Sequence, residues 1–116
     1  MLGWASFAVD PSYAMVSVSS GGSVTNVTGN TLSNSDAMEV TLEFSGGPHA
    51  TTYHVTADIE GTDDATDASY LPKWWIKQGG KQSTGVVVKA CGWDQYAAGA
   101  STPLGFTWTF WVWARE

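Results

Sequence analysis

Side chains that can attack, ligate or shuttle protons are scarce in this chain. His49 and His54 are its two imidazoles. His49 follows Pro48 in a turn-rich stretch, and His54 lies on the polar side of an alternating segment. A continuous strand would point the two to opposite faces, so no shared metal is expected. Zinc would need further ligands, and Cys91, the single cysteine, is a distant candidate. Glu39 and Glu43 share a strand face and have the residue types of a glycosidase pair. Four strand residues put their Cα atoms roughly 13–14 Å apart. That exceeds the ~5–9.5 Å between carboxyls in either glycosidase geometry. A cross-strand pair such as Glu43 with Asp58 would be closer, but a solvated sheet face is the simpler reading. Asp63, Asp64 and Asp67 crowd into "TDDATD", which could offer carboxylates and carbonyls to Ca²⁺. The spaced Asp/Asn register and turn glycine of an EF-hand loop are missing, so a solvated acidic loop is expected. No nucleophile-elbow motif surrounds any serine. Cys91 ends a valine-rich run, where a small buried thiol is the default. These groups predict a chain that is not an enzyme and needs no cofactor.

The excess lies in aromatic side chains. Seven tryptophans stand in 116 residues, while charged residues make up only 14%, against roughly 25% in an average soluble protein. Low charge with many indoles implies surface that is covered by something other than water. The segment "FTWTFWVWARE", Phe106 to Glu116, makes the problem concrete. At strand period, Phe106, Trp108, Phe110, Val112 and Ala114 form an ordinary core face. The other face begins with Thr107 and Thr109, turns into Trp111 and Trp113, and ends in Arg115. Trp74 and Trp75 are adjacent and must point to opposite sides of a strand. Trp93 falls in a long loop with Asp94 and Tyr96, and Trp4 lies in a terminal strand that could fold over a sheet edge.

These side chains are positioned by strands. "AMEVTLEF" alternates Met38, Val40, Leu42 and Phe44 against Glu39, Thr41 and Glu43. "TYHVTADIE" sets Tyr53, Val55, Ala57 and Ile59 inward and His54, Thr56, Asp58 and Glu60 outward. "WWIK" and "GVVVKAC" are shorter and more apolar, as expected nearer a sheet centre or at a contact. "WASFAV", "AMVSVS" and "SVTNVT" are weaker strands. The diglycines 21–22, 46–47 and 79–80 supply the positive φ of tight reversals and predict hairpins or corners. "GTDDATDASYLP" and "GWDQYAAGASTPLG" read as long connections. No helical stripe, internal repeat or low-complexity tail is present. Residues 1–116 therefore read as one all-β domain. The expected fold is a single β-sandwich of about 7–8 antiparallel strands, immunoglobulin-like or jelly-roll, with Greek-key connections.

Eleven carboxylates against five basic residues give a net charge of −6. With no basic run, nucleic acid and anionic membrane are not expected partners. No signal peptide and no bilayer-length apolar run is read in the sequence. The Asn26-Val27-Thr28 sequon is accordingly taken as chance.

Within the chain, loops could cover one outward indole; covering Trp75, Trp111 and Trp113 together is harder, because an outer sandwich face normally meets water. The preferred reading is a virion structural protein made in a host cytoplasm, a bacteriophage capsid decoration or head/tail accessory protein. It would stabilise the particle through aromatic contacts to other protein subunits, in a homo-oligomer or on a capsid or tail protein. Trp4, Trp75, Trp111 and Trp113 are the expected contacts, with Arg115 pairing to a neighbour's carboxylate. The alternative is a carbohydrate-binding module or lectin, using Trp93, Asp94 and Tyr96 or the Trp111/Trp113 face to bind a glycan.

Overall fold

Alternation of apolar and polar residues decides which side of each strand is buried. The computed structural model describes residues 1–9, 14–30, 38–47, 49–61, 70–94 and 106–114. Among these residues eight strands run in chain order: β1 (Gly3–Val9), β2 (Met15–Gly22), β3 (Val24–Asn30), β4 (Met38–Phe44), β5 (His54–Gly61), β6 (Tyr70–Gln82), β7 (Gly85–Asp94) and β8 (Phe106–Trp113). They form two four-stranded antiparallel sheets, sheet A in the order β2-β1-β8-β5 and sheet B in the order β3-β4-β7-β6. The expected all-β sandwich is the fold found.

Strands β1, β4 and β8 alternate between buried and more exposed residues along their length, the pattern of strands with one face on the core. Phe7 from β1, Val40 and Leu42 from β4, Val86 and Val88 from β7, and Trp108, Phe110 and Val112 from β8 are all fully buried. Phe110 is the junction of the aromatic core. Its ring lies 6.1 Å from Phe7 and 6.3 Å from Trp108 in sheet A, and 5.4 Å edge-to-face from Trp74 of sheet B. Burying such a side chain contributes about 1.5–3 kcal/mol, so this cluster ties the two sheets together.

One end of the sandwich is closed by Tyr53, just before β5. Its hydroxyl lies 2.8 Å from the Gln82 carbonyl oxygen and 3.0 Å from that of Gly85, sharing one proton with the β6–β7 hairpin. Phe44 meets the Tyr53 ring edge-on at 5.3 Å, and Lys81 Nζ stands 5.1 Å from the ring centroid. His49 is fixed near this end rather than on a strand; its Nε2 donates to the Ser45 carbonyl at 2.9 Å.

Several expectations are corrected by strand order. β6, with its Trp-Trp pair, is an edge strand rather than a central one, and the weakly patterned β1 is an interior strand. Gly22 and Gly46 take positive φ at the ends of β2 and β4, where the chain passes between sheets. Gly79 also has positive φ, but inside β6, where the register with β7 shifts between Ile76 and Lys81. The third diglycine makes a bulge, and the hairpin turns instead at residues 83–84. Strand β7 runs on through Asp94, so Gly92 to Asp94 belong to a strand and not to the long loop. Ala114 ends up exposed, because β8 stops at Trp113. Glu43 and Asp58 lie in different sheets; Glu43 instead accepts from Asn26 Nδ2 at 3.1 Å.

Backbone strain and proton burial each have a measurable effect on stability. Ser17 holds a φ of 54° in edge strand β2, beside the register shift against β1. Glycine there removes about 1–3 kcal/mol of strain and adds about 0.4–1 kcal/mol of unfolded-chain entropy. Ser17→Gly should therefore raise stability by about 1 kcal/mol, read as a higher urea midpoint at unchanged slope. Burial pushes the Tyr53 hydroxyl and the Cys91 thiol above their ordinary values of 10.0 and 9.0, the nearby Lys73 pulling partly the other way on the thiol. The folded chain then holds both protons more tightly than the unfolded one, so this stability is complete below about pH 9 and declines as pH rises. Urea midpoints should fall from about pH 9 upward, and Tyr53→Phe should flatten the part of the decline above pH 10.

Candidate functional site

The outer face of sheet A gathers the aromatic side chains that the core does not use. Registers within the sheet set Trp4 of β1 opposite Trp111 of β8, and Trp111 in turn opposite Thr56 of β5. Trp113 stands opposite His54, one row along. Directly opposed residues share a face, so these side chains form one surface. The Trp4 and Trp111 ring centroids are 6.1 Å apart, tilted by 41°. The His54 and Trp113 rings stack at 6.3 Å with only 17° between their planes.

Polar residues of β5 hold the indoles down. Trp111 Nε1 donates to Asp58 Oδ2 at 3.2 Å, and Trp113 Nε1 donates to Thr56 Oγ1 at 2.8 Å. Both reach diagonally, to the β5 residue two positions beyond the one directly opposite. The two rings therefore lean the same way along the sheet. Next to them, the Ser6 and Thr109 hydroxyls hydrogen-bond at 3.1 Å. On the other side, Trp4 lies over Gly21 of β2; a Cβ added there would run into the indole at Nε1. The glycine leaves the space that the ring occupies. With the Trp111 and Trp113 N–H groups satisfied, the rings still meet solvent: Trp4 is half-buried, and Trp113 is 37% exposed.

Charge divides unevenly between the faces. The strands of sheet A contain no lysine or arginine, and Asp58 and Glu60 make the β5 side of the aromatic face acidic. All four lysines, Lys73, Lys77, Lys81 and Lys89, lie on β6 and β7 of sheet B. Trp75, 44% exposed, belongs to that second surface, opposite Lys89 in the register and flanked along β6 by Lys73 and Lys77. The expected grouping of Trp75 with Trp111 and Trp113 is therefore split between two sheets, whereas Trp4 joins the latter pair. Glu39 forms an ion pair with Lys77 on the sheet B side.

Trp93 and Asp94 lie at the end of β7, opposite Leu71 and Tyr70 of β6. Tyr96, Asp63, Asp64, Asp67 and Arg115 fall outside the described residues. Among the described residues, no three His, Cys, Asp or Glu side chains come together as a metal site would need. Cys91 is buried.

The members of the face that sequence reading missed are Gly21, Ser6, and the acceptor roles of Thr56 and Asp58. The outward direction of the two β5 residues was readable from alternation; their proximity to the indoles depends on the β5–β8 pairing. Chemically the arrangement is a surface of apolar rings with an acidic margin, its Trp111 and Trp113 N–H groups already satisfied. Neither a protein-family model, nor a curated protein, nor a solved structure matches the chain.

The Gly21 contact yields a direct check. Gly21→Ala should push the Trp4 indole away from Trp111 without altering any aromatic residue. The expected result is a changed near-ultraviolet circular dichroism signal with far-ultraviolet signal preserved. Unchanged aromatic dichroism would mean that the ring does not depend on this glycine.

Proposed function

We propose that this chain is a non-enzymatic assembly subunit that docks on other protein subunits through the outer face of sheet A. The observation that carries the reading is the row Trp4–Trp111 with Trp113 beside it, held on a solvent-facing sheet surface by Asp58 and Thr56. Aromatic rings in a preset orientation lose little conformational freedom on docking, and tryptophan is enriched among residues that dominate interface energy. The acidic margin favours a partner surface with cationic groups; a second copy of the chain offers one in the lysines of sheet B. The setting we propose is a virus particle, with the chain as a capsid decoration or head/tail accessory protein of a bacteriophage that stabilises the shell by bridging its subunits. Its size and all-β economy support that setting by analogy of architecture alone.

A glycan platform is the competing use of the same rings. The geometry favours it less. Asp58 and Thr56, the acceptors best placed to fix sugar hydroxyls, already receive the indole N–H groups. Trp4 and Trp111 are also tilted by 41° rather than coplanar.

Light scattering across a wide concentration range tests the choice. The expected result is assembly beyond a dimer, unaffected by free sugars. Trp111→Ala and Trp113→Ala should each lose about tenfold or more in association, the scale of an interface hot spot, while retaining the fold. A wild-type chain that never exceeds a dimer, and whose tryptophan emission shifts on adding a glycan, would overturn the assembly reading.

A further inference from the structure

Among the described residues, the two sheets end on four strand edges, belonging to β2, β5, β3 and β6. Exposed edges template pairing with other chains, and proteins usually block them with bulges, prolines or lysines. Three of these edges are interrupted. The β1–β2 register shifts between Ser6 and Ala8, with Ser17 at positive φ; the β3–β4 register shifts between Val24 and Asn26; and the β6–β7 register shifts between Ile76 and Lys81. β6 also carries Pro72 and three lysines, Lys73, Lys77 and Lys81. β5 has no bulge, proline or lysine; its charged side chains are Asp58 and Glu60. It pairs with β8 in unbroken register from His54 to Gly61. Its inward residues Val55, Ala57 and Ile59 are only partly buried where they pack against the core.

We infer that the β5 edge is a self-recognition surface, on which a second copy of this chain pairs antiparallel through its own β5 about a two-fold axis at Ala57.

The occupant and the register come from self-complementarity. A continuous sheet with both cores on one side must pair inward residues with inward ones, so the two-fold axis passes through a residue rather than between two. Three positions near the middle of the strand compete. An axis at Thr56 would pair only His54 to Asp58, leaving the rest of the strand without a β5 partner. An axis at Asp58 would bring that carboxylate against its own copy, a like-charge clash. The axis at Ala57 pairs His54 through Glu60 over their full length. It sets His54 against the Glu60 carboxylate of the second copy and Asp58 against Thr56. Val55 meets Ile59 on the inner side, and the smallest inward side chain of the strand lies on the axis. The partly buried apolar row then becomes a continuous core across the two copies.

This surface differs from the aromatic face, and the inference stands or falls separately from the assembly reading. Because the axis is perpendicular to the sheet, the two outer faces of sheet A merge into one. The two β8 strands then lie three strand spacings apart, about 14 Å at about 4.8 Å per spacing, which sets a pair of tryptophan rows on one broad surface.

Sedimentation of the Trp111→Ala chain, which weakens the aromatic contacts, isolates the β5 contact. The expected species is a dimer. Glu60→Lys alone and His54→Glu alone should each weaken it tenfold or more, and the double swap should restore it by setting a carboxylate against a lysine across the axis. Opposed Cα atoms in such a pair lie about 4.5–5.5 Å apart, within disulfide reach. In a Cys91→Ala background, Ala57→Cys should therefore cross-link to itself on oxidation, and Thr56→Cys or Asp58→Cys should not. A Trp111→Ala chain that stays monomeric at about 1 mM would overturn the inference. So would a dimer that the charge swap fails to rescue and that the Ala57→Cys variant fails to capture by oxidation. Loss of higher assembly with the dimer intact would leave the β5 pairing standing and locate the other contact on the indoles.

Discussion

The register of β8 is the constraint on which the rest of the molecule depends. β8 is the interior strand that joins β1 to β5, and its two faces have opposite duties. Phe106, Trp108, Phe110 and Val112 are buried on one side, while Thr107, Thr109, Trp111 and Trp113 line the other. A slip of one residue would exchange these rows, sending two threonines into the core and the Phe110 junction into water. With aromatic residues on both faces, hydrophobicity discriminates weakly over the second half of the strand. Discrimination there comes from shape and from hydrogen bonding. Phe110 fits among Phe7, Trp74 and Trp108, and the outward indoles find Asp58 and Thr56 at the right diagonal. Each such hydrogen bond contributes about 0.5–1.5 kcal/mol, so the polar residues of β5 help to hold β8 in place as well as to shape the surface.

The same hydrogen bonds explain why a pair of tryptophans can face outward without being swallowed by the fold. Each ring donates its N–H to an exposed polar side chain of β5 and presents the remainder to solvent. The two sandwich faces are thereby made unlike: one aromatic and acidic, the other bearing the lysines together with Trp75. Two unlike faces allow heterologous contact between copies, whereas an uninterrupted strand edge allows symmetric contact. The β5 backbone edge and the indole rings are distinct surfaces that share His54, Thr56 and Asp58 as their border.

Alternation made much of this legible in advance. The inward rows of β4, β5 and β8 and the outward direction of Thr56, Asp58, Trp111 and Trp113 follow from period two alone. What periodicity cannot supply is which strands become neighbours. Trp4 and Trp111 are separated by most of the chain, and only the β1–β8 pairing brings them together. Trp75 resembles them in composition, yet its strand joins the other sheet. The Gly79-Gly80 pair carries the same local signal as the other diglycines, but it makes a bulge because β6 continues on both sides of it. Gly21 had a second reason to be glycine that no local pattern announces, the indole lying above it.

The central place of β8 has a consequence for how the molecule comes to be folded. Sheet B can be completed from β3, β4, β6 and β7, all of which precede residue 106. Sheet A cannot, since β1 and β5 are joined only through the last strand of the order. During synthesis the β8-facing edge of β1 stays unpaired until residues 106–113 have been made. Contacts of such long sequence separation are slow to form. An incomplete chain with an exposed β1 and the open β5 edge is the species most prone to pair with the wrong neighbour.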